Sequence, residues 1–188
     1  MKFLKILLGA IVLLALLFFG NGILNPSVSY GAEVTVDKPI KEAWAVMTDE
    51  SRLSEWMKDI KSIKHISGEK NTTGAVTEYA VDNNGADMTM QETITSFRPN
   101  EHMGMTFIMD MMDIDYQVFF TKNNGKTIIR SEAITKGKGI FMKSLFSFMG
   151  RDGMVVQEET NLNNLKKLIG ENTKDYFPEP VVEMIEEN

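Results

Sequence analysis

The chain contains no cysteine among its 188 residues. That excludes a disulfide framework, thiolate metal sites and a cysteine nucleophile. It does not assign a compartment, because reducing and oxidising environments both tolerate such a chain. Histidine is nearly as scarce. His65 and His102 alone leave little material for a histidine-based metal site, and both read as solvated strand-edge residues. Basic residues are the minority, 20 against 26 acidic, for a net charge of −6. That balance argues against a general nucleic-acid binder. There is no phosphate loop, nucleophile elbow, zinc motif or internal repeat. No catalytic residue, cofactor or metal is therefore assigned. The hydrophobic fraction of 43% is ordinary, so a disordered chain is excluded.

What is present is unevenly spread. Phe3 to Phe19 holds 15 hydrophobic residues in 17, interrupted only by Lys5 and Gly9. Ile6 to Leu24 carries no charge. At about 1.5 Å per residue, some 19 residues give roughly 28 Å, close to the thickness of a hydrocarbon core. Residues 1–24 read as a retained single-pass membrane anchor. The competing reading is a cleaved signal peptide, for which Gly20 and Gly22 imitate a small-residue cleavage site poorly. Lys2 and Lys5 precede the apolar run and the next charge is Glu33. The positive-inside rule then puts the N-terminus in the cytosol and the remainder on the periplasmic or extracellular side. Eight of the 13 leucines lie in the first 24 residues.

Residues 25–31 read as a linker containing Pro26, residues 32–170 as a domain, and residues 171–188 as an acidic tail that frays. Within the domain, Val34 and Val36 mark a short strand ending at Pro39. Ile40, Ala43, Trp44 and Met47 recur at helical spacing, and Asp49 or Ser51 can cap a second short helix through Met57. Ile60–Ser67 reads as a strand, and alternating segments follow it. Asn83-Asn84-Gly85 and Asn123-Asn124-Gly125 are hairpin turn signals. The facing of Lys126–Thr135 is ambiguous. Val155, Glu158, Leu162, Leu165 and Ile169 form one face of a long C-terminal helix, with Gly170 as its stop. One-sided alternation favours antiparallel pairing, and the terminal helix must cover the apolar sheet face.

This order of elements resembles the START-like superfamily, also called SRPBCC and including polyketide cyclase-like proteins. The residues that carry the resemblance are Val34-Thr-Val-Asp-Lys-Pro39 running into Ala43-Trp44, then Asp49, Leu53 and Trp56, then GAVTEY from Gly74, then Met90 to Pro99. The long terminal helix completes the set, over roughly residues 30 to 170. The resemblance implies an α+β helix-grip fold, a curved antiparallel sheet around a long C-terminal helix, here behind one transmembrane helix. It further implies a cavity for a lipid or other hydrophobic small molecule. It carries over no shared catalytic residue, and fold alone assigns no chemistry.

Methionine is the unusual component. After residue 25 there are 13 Met but five Leu, and seven of those Met fall between residues 88 and 112. In a helix-grip layout Met88, Met90, Met103, Met105, Met109 and Met111 share the concave face with Phe107, Val118 and Phe120. A flexible, polarizable Met surface adapts to irregular ligands, although the same residues can simply fill a core. Paired thioethers also suit Cu(I), but strand alternation accounts for their spacing and no His or Cys supports a metal. Glu92 is in phase with Met88 and Met90, so its carboxyl is expected inward. There it orients a polar ligand head, acts as an acid or base, or pairs with Arg130 or a tyrosine. Tyr116 is expected to offer a hydroxyl to the cavity, and Trp56 to line its mouth. The expected function is a membrane-anchored binding domain for a hydrophobic molecule. The alternatives are a cyclase- or hydrolase-like enzyme using Glu92, or an interaction module with a filled core.

Overall fold

The computed structural model describes residues 2–83 and 85–178. The first helix, α1 (Lys2–Leu24), is long and apolar enough to cross a membrane. Its apolar side chains are exposed along nearly all of its length. Strand β1 (Ser27–Val36) follows after only Asn25 and Pro26. The expected linker over 25–31 is thus mostly strand. Its backbone is paired from Ser27, opposite Lys136, to Val36, opposite Thr127. Helix α2 (Ile40–Met47), a 3₁₀ turn (Glu50–Arg52) and the single turn α3 (Leu53–Trp56) come next. Asp49 is the cap of the 3₁₀ turn, accepting from the Ser51 backbone N–H at 3.1 Å.

Six strands then run as a meander: β2 (Ile60–Ser67), β3 (Val76–Asn83), β4 (Ala86–Arg98), β5 (His102–Ile108), β6 (Met112–Asn123) and β7 (Lys126–Gly137). With β1 they form one seven-stranded antiparallel sheet in the order β1-β7-β6-β5-β4-β3-β2. The β6–β7 hairpin turns at Asn124 and Gly125, both with positive φ, as the Asn-Gly pair requires. Asn84 of the other expected Asn-Gly turn lies outside the described residues. A register shift between Ile94 and Ser96 inserts one residue into β4. The extra residue brings Ile94 and Phe97 to the same face, opposite Met105 and Met103.

After β7 the chain turns into α4 (Gly139–Leu145), a π-helical turn (Phe146–Gly150) and α5 (Arg151–Gly170). The Gly150 backbone is right-handed helical, so the chain stays helical from the π-helical turn into α5. The fully buried Leu162, Leu165 and Ile169 of α5 press into the sheet beside Ile129, Val36 and Val118. Trp44 sits edge-on between Phe97 and Phe120, with centroids 5.4 and 5.1 Å away.

The segment after α5 departs from expectation. Asn172 is buried, donates to Glu42 Oε1 at 3.2 Å and accepts from Arg52 at 2.8 Å. Asp49 accepts from Lys174 Nζ at 2.7 Å and from the Tyr176 hydroxyl at 2.9 Å. Residues 172–176 are therefore clasped to the α2–3₁₀ corner rather than frayed. The rest of the expected acidic tail, 179–188, lies outside the described residues.

Candidate functional site

Between the sheet's concave face, α2–α3 and α5 lies a cavity of about 310 Å³. Strand register places its walls. Met90 is opposite Tyr79, Glu92 opposite Phe107, and Ile94 opposite Met105. Met105 is in turn opposite Tyr116, Met103 opposite Val118, and Phe107 opposite Ile114. Directly opposed residues share a sheet face, so these pairs converge on one side. Leu53 and Trp56 of α3 and the following Met57 close one side of the cavity, and Met154, Leu162 and Leu165 of α5 another.

Most of the expected lining set is brought together. Trp56, Met90, Glu92, Met103, Met105, Phe107, Tyr116 and Val118 all line the cavity. Four expected members do not. Phe120 is buried against Trp44, because α2 covers that end of the sheet. Met88 and Met109 pack into a second cluster around Ile60 and Tyr79. Met111 is exposed, because β5 ends at Ile108 and the alternation stops with it. Met112 takes the inward role instead and starts β6. His65 is exposed with Nε2 2.9 Å from the Gly68 carbonyl oxygen. His102 stacks on Phe119 and contacts Gln117 Oε1 at 2.6 Å, away from the cavity.

Glu50, Lys70, Asn71, Gln157 and Asn161 are among the polar residues that also line the cavity, and two buried carboxyls stand out. The first is Glu92, whose Oε2 accepts from the Tyr79 hydroxyl at 3.2 Å. The expected tyrosine partner is thus found, whereas Arg130 pairs with Glu132 on the outer face. Burial pushes the Glu92 carboxyl up to about 7, the Tyr79 hydrogen bond opposes the rise, and nearby Glu50 adds to it. Burial and the neighbouring Glu92 raise the Tyr79 hydroxyl as well.

The second polar group was not singled out in the sequence. Glu158 is 7% exposed, and its Oε1 accepts from the Tyr116 hydroxyl at 2.7 Å. Burial, and then Glu158, push Tyr116 well above its usual range. Thr135 donates to the Tyr30 hydroxyl at 3.3 Å on the same wall. The available signal was Glu158 itself, a carboxyl in the apolar phase of α5. The Trp56 indole N–H is buried with no hydrogen-bond partner among the described residues.

The Glu92 assignment fixes a pH dependence. Between about 4.5 and 7 the folded chain holds a proton that the unfolded chain releases. Stability then falls as pH rises through this window and levels off above it. Glu92→Gln removes the effect while keeping an acceptor for Tyr79. In thermal melts, Glu92→Gln should match the parent near pH 4 and exceed it at pH 8. The gain is at most on the order of 3 kcal/mol, reduced by the water that reaches the group. Parallel melting curves for the two proteins at all pH values would contradict the assignment.

The comparisons with known proteins agree with this architecture. The sequence profile of the family described as polyketide cyclase / dehydrase and lipid transport matches residues 27–169. The chain belongs to that family. Its solved structural relatives include the Zhui aromatase/cyclase from Streptomyces sp. R1128, at 10% identity and a TM-score of 0.64, covering 76% of this chain and 93% of that one. Ara h 8.0201 superposes with a TM-score of 0.61 at 11% identity, over 78% of this chain and 99% of that one. The Thermus thermophilus protein TTHA0849 does so at 0.61 and 12%, over 76% and 97%. At such identities the likeness shows the START-like, helix-grip fold and nothing finer. No curated protein matches the chain significantly.

Proposed function

We propose that this family member is a membrane-anchored binding domain for a lipid or another hydrophobic small molecule. The observation that carries the reading is the cavity. Its volume of about 310 Å³ lies at the lower end of ligand pockets, and most of the wall surface is apolar although several polar residues share the lining. Affinity comes from burying apolar ligand surface, at about 25 cal/mol per Å² before ordering costs. Glu92–Tyr79 and Tyr116–Glu158 orient a ligand's polar atoms. The cavity speaks against the filled-core alternative.

α1 would span the bilayer with its N-terminus in the cytosol, as Lys2 and Lys5 favour, and hold the domain on the opposite side. The family's descriptor, which includes lipid transport, supports the ligand class. Native mass spectrometry of the full chain released from its membrane tests the proposal. One apolar adduct per chain, identified by solvent extraction, is expected. A bare chain under conditions that keep the fold intact would overturn it.

A second reading rests on Glu92 alone. A carboxyl poised near neutrality beside a tyrosine hydroxyl suits acid–base chemistry on a bound ligand. If Glu92→Gln leaves every conversion of the extracted ligand unchanged, this reading falls.

A further inference from the structure

The ligand reading leaves one surface unused. Ile140, Phe141, Phe148 and Met149 of α4 and the π-helical turn are exposed, a dense apolar group for one short stretch. Met111 is also exposed, and its carbonyl accepts from the Lys138 backbone N–H at 2.8 Å, next to α4. This surface is tied to the last turns of α1. Asn21 Nδ2 donates to Ser147 Oγ at 2.9 Å. Phe18 lies within ring-contact distance of Phe141 and Phe148, at 6.1 and 6.4 Å. Gly22 is buried against Ser144, where a Cβ would come within 2.5 Å of the Ser144 backbone nitrogen.

Those contacts set a depth. Phe18 is six residues before the end of α1 at Leu24, or about 9 Å along the helix axis. If Ile6–Leu24 fills the hydrocarbon core, the rings around Phe18 lie below its outer edge. Interfacial apolar faces bury at a similar depth, about 5–10 Å. We infer that α4, the π-helical turn and Met111 form a foot embedded in the outer leaflet of the bilayer. The inference rests on the reading of α1 as a membrane span.

Charge makes a small contribution to this docking. Lys143 lies within α4 and Arg151 follows the π-helical turn; neither forms an ion pair among the described residues, but Asp110 and Asp152 offset them and Lys138 pairs with Asp113 at 3.1 Å. The foot therefore inserts through apolar contact and needs no anionic lipid. The foot also adjoins the cavity. Met112 follows Met111, Met154 lies one turn past the π-helical segment, and both line the cavity. An apolar ligand could then pass between acyl chains and cavity with little exposure to water.

The chain's lack of cysteine makes the test direct. Single substitutions Phe148→Cys, Met149→Cys and Phe141→Cys, each labelled with an environment-sensitive fluorophore, are placed in the full chain in phosphatidylcholine vesicles. Leu13→Cys reports on α1, and Lys122→Cys on the far end of β6. Lipids carrying a doxyl quencher along the acyl chain should quench the foot labels at least two-fold, independent of salt, and leave the Lys122→Cys label unaffected. The Leu13→Cys label should be quenched by mid-chain doxyl. Quenching at Leu13→Cys with none at the three foot positions would overturn the foot and leave the span standing. No quenching at Leu13→Cys would remove the span and the foot together. Foot labels that shift to the blue without lipid quenching would show a second protein copy on this surface and also overturn the inference.

Discussion

Tyr116→Phe should destabilise the domain by about 2–3 kcal/mol, the largest single-atom effect the structure implies. The ring and its packing against Phe107 are kept, and only the hydroxyl is removed. That hydroxyl is the donor to Glu158, a carboxyl that α5 buries to 7% exposure. A buried acceptor left without its donor retains its full desolvation cost, so the loss exceeds an ordinary hydrogen bond. For a domain of this size the melting point should drop by roughly 5–10 °C. Replacing both partners, Tyr116→Phe with Glu158→Leu, removes the unpaired carboxyl, leaves Ser131 bonded to the Ala32 backbone, and should recover most of the loss. The double-mutant cycle would then show a coupling above about 1 kcal/mol. A Tyr116→Phe melt within about 0.5 kcal/mol of the parent would mean that water already serves Glu158.

The second large effect is on binding. Met103 on β5 and Leu53 on α3 face the cavity from different walls, and both are only partly buried by protein. Met103→Trp or Leu53→Trp places an indole where the ligand would lie. Overpacking a filled core costs about 1–3 kcal/mol, but an existing void receives the added atoms with less strain. Each variant should therefore melt within about 1 kcal/mol of the parent and lose at least ten-fold in affinity for the co-purified ligand. Phe120→Leu is the matched control. It lies against Trp44 outside the cavity, so it should cost stability and leave affinity unchanged. Equal affinity in the parent and both Trp variants would move the ligand elsewhere.

The fold was largely legible because its alternation is clean. Strands β5 and β6 carry apolar residues at every second position, β4 does so from Met88 to Ile94 except at Glu92, and the Asn-Gly turn at residues 124–125 marks a hairpin. Strand β7 was ambiguous for a physical reason. Its inward residues include Thr127, Ser131 and Thr135, which look exposed by residue type. They are buried because their hydroxyls find local partners: Thr127 donates to the Lys38 carbonyl at 2.8 Å, and Thr135 to Tyr30. The early start of β1 was hidden similarly, since Ser27, Ser29 and Gly31 resemble a linker until β7 pairs with them.

The site was legible to the extent that the alternation persisted. It held from Met90 to Ile94 and from Met103 to Phe107, and those strand positions face the cavity. It failed at Met109 and Met111, beyond the end of β5, where the strand period no longer applies. It also failed at Phe120, whose phase is inward but whose end of the sheet is covered by α2. The second acid, Glu158, was visible only as a break in an apolar helical face. Hydrophobic patterning treats such a residue as noise, although a buried carboxyl implies a partner. The clasp of residues 172–176 depends on Asp49, more than 120 positions away, and no local pattern reveals it.

Photo-crosslinking of the full chain in its membrane tests the central claim most directly. A fatty-acyl probe carrying a diazirine is activated in the vesicle, and the modified peptides are mapped. An internal apolar site predicts adducts on Met90, Met105, Met112 and Met154, lost in Met103→Trp. Adducts confined to α1 and to Ile140–Met149, unchanged in that variant, would show that lipid touches only the outside of the molecule and would contradict the account.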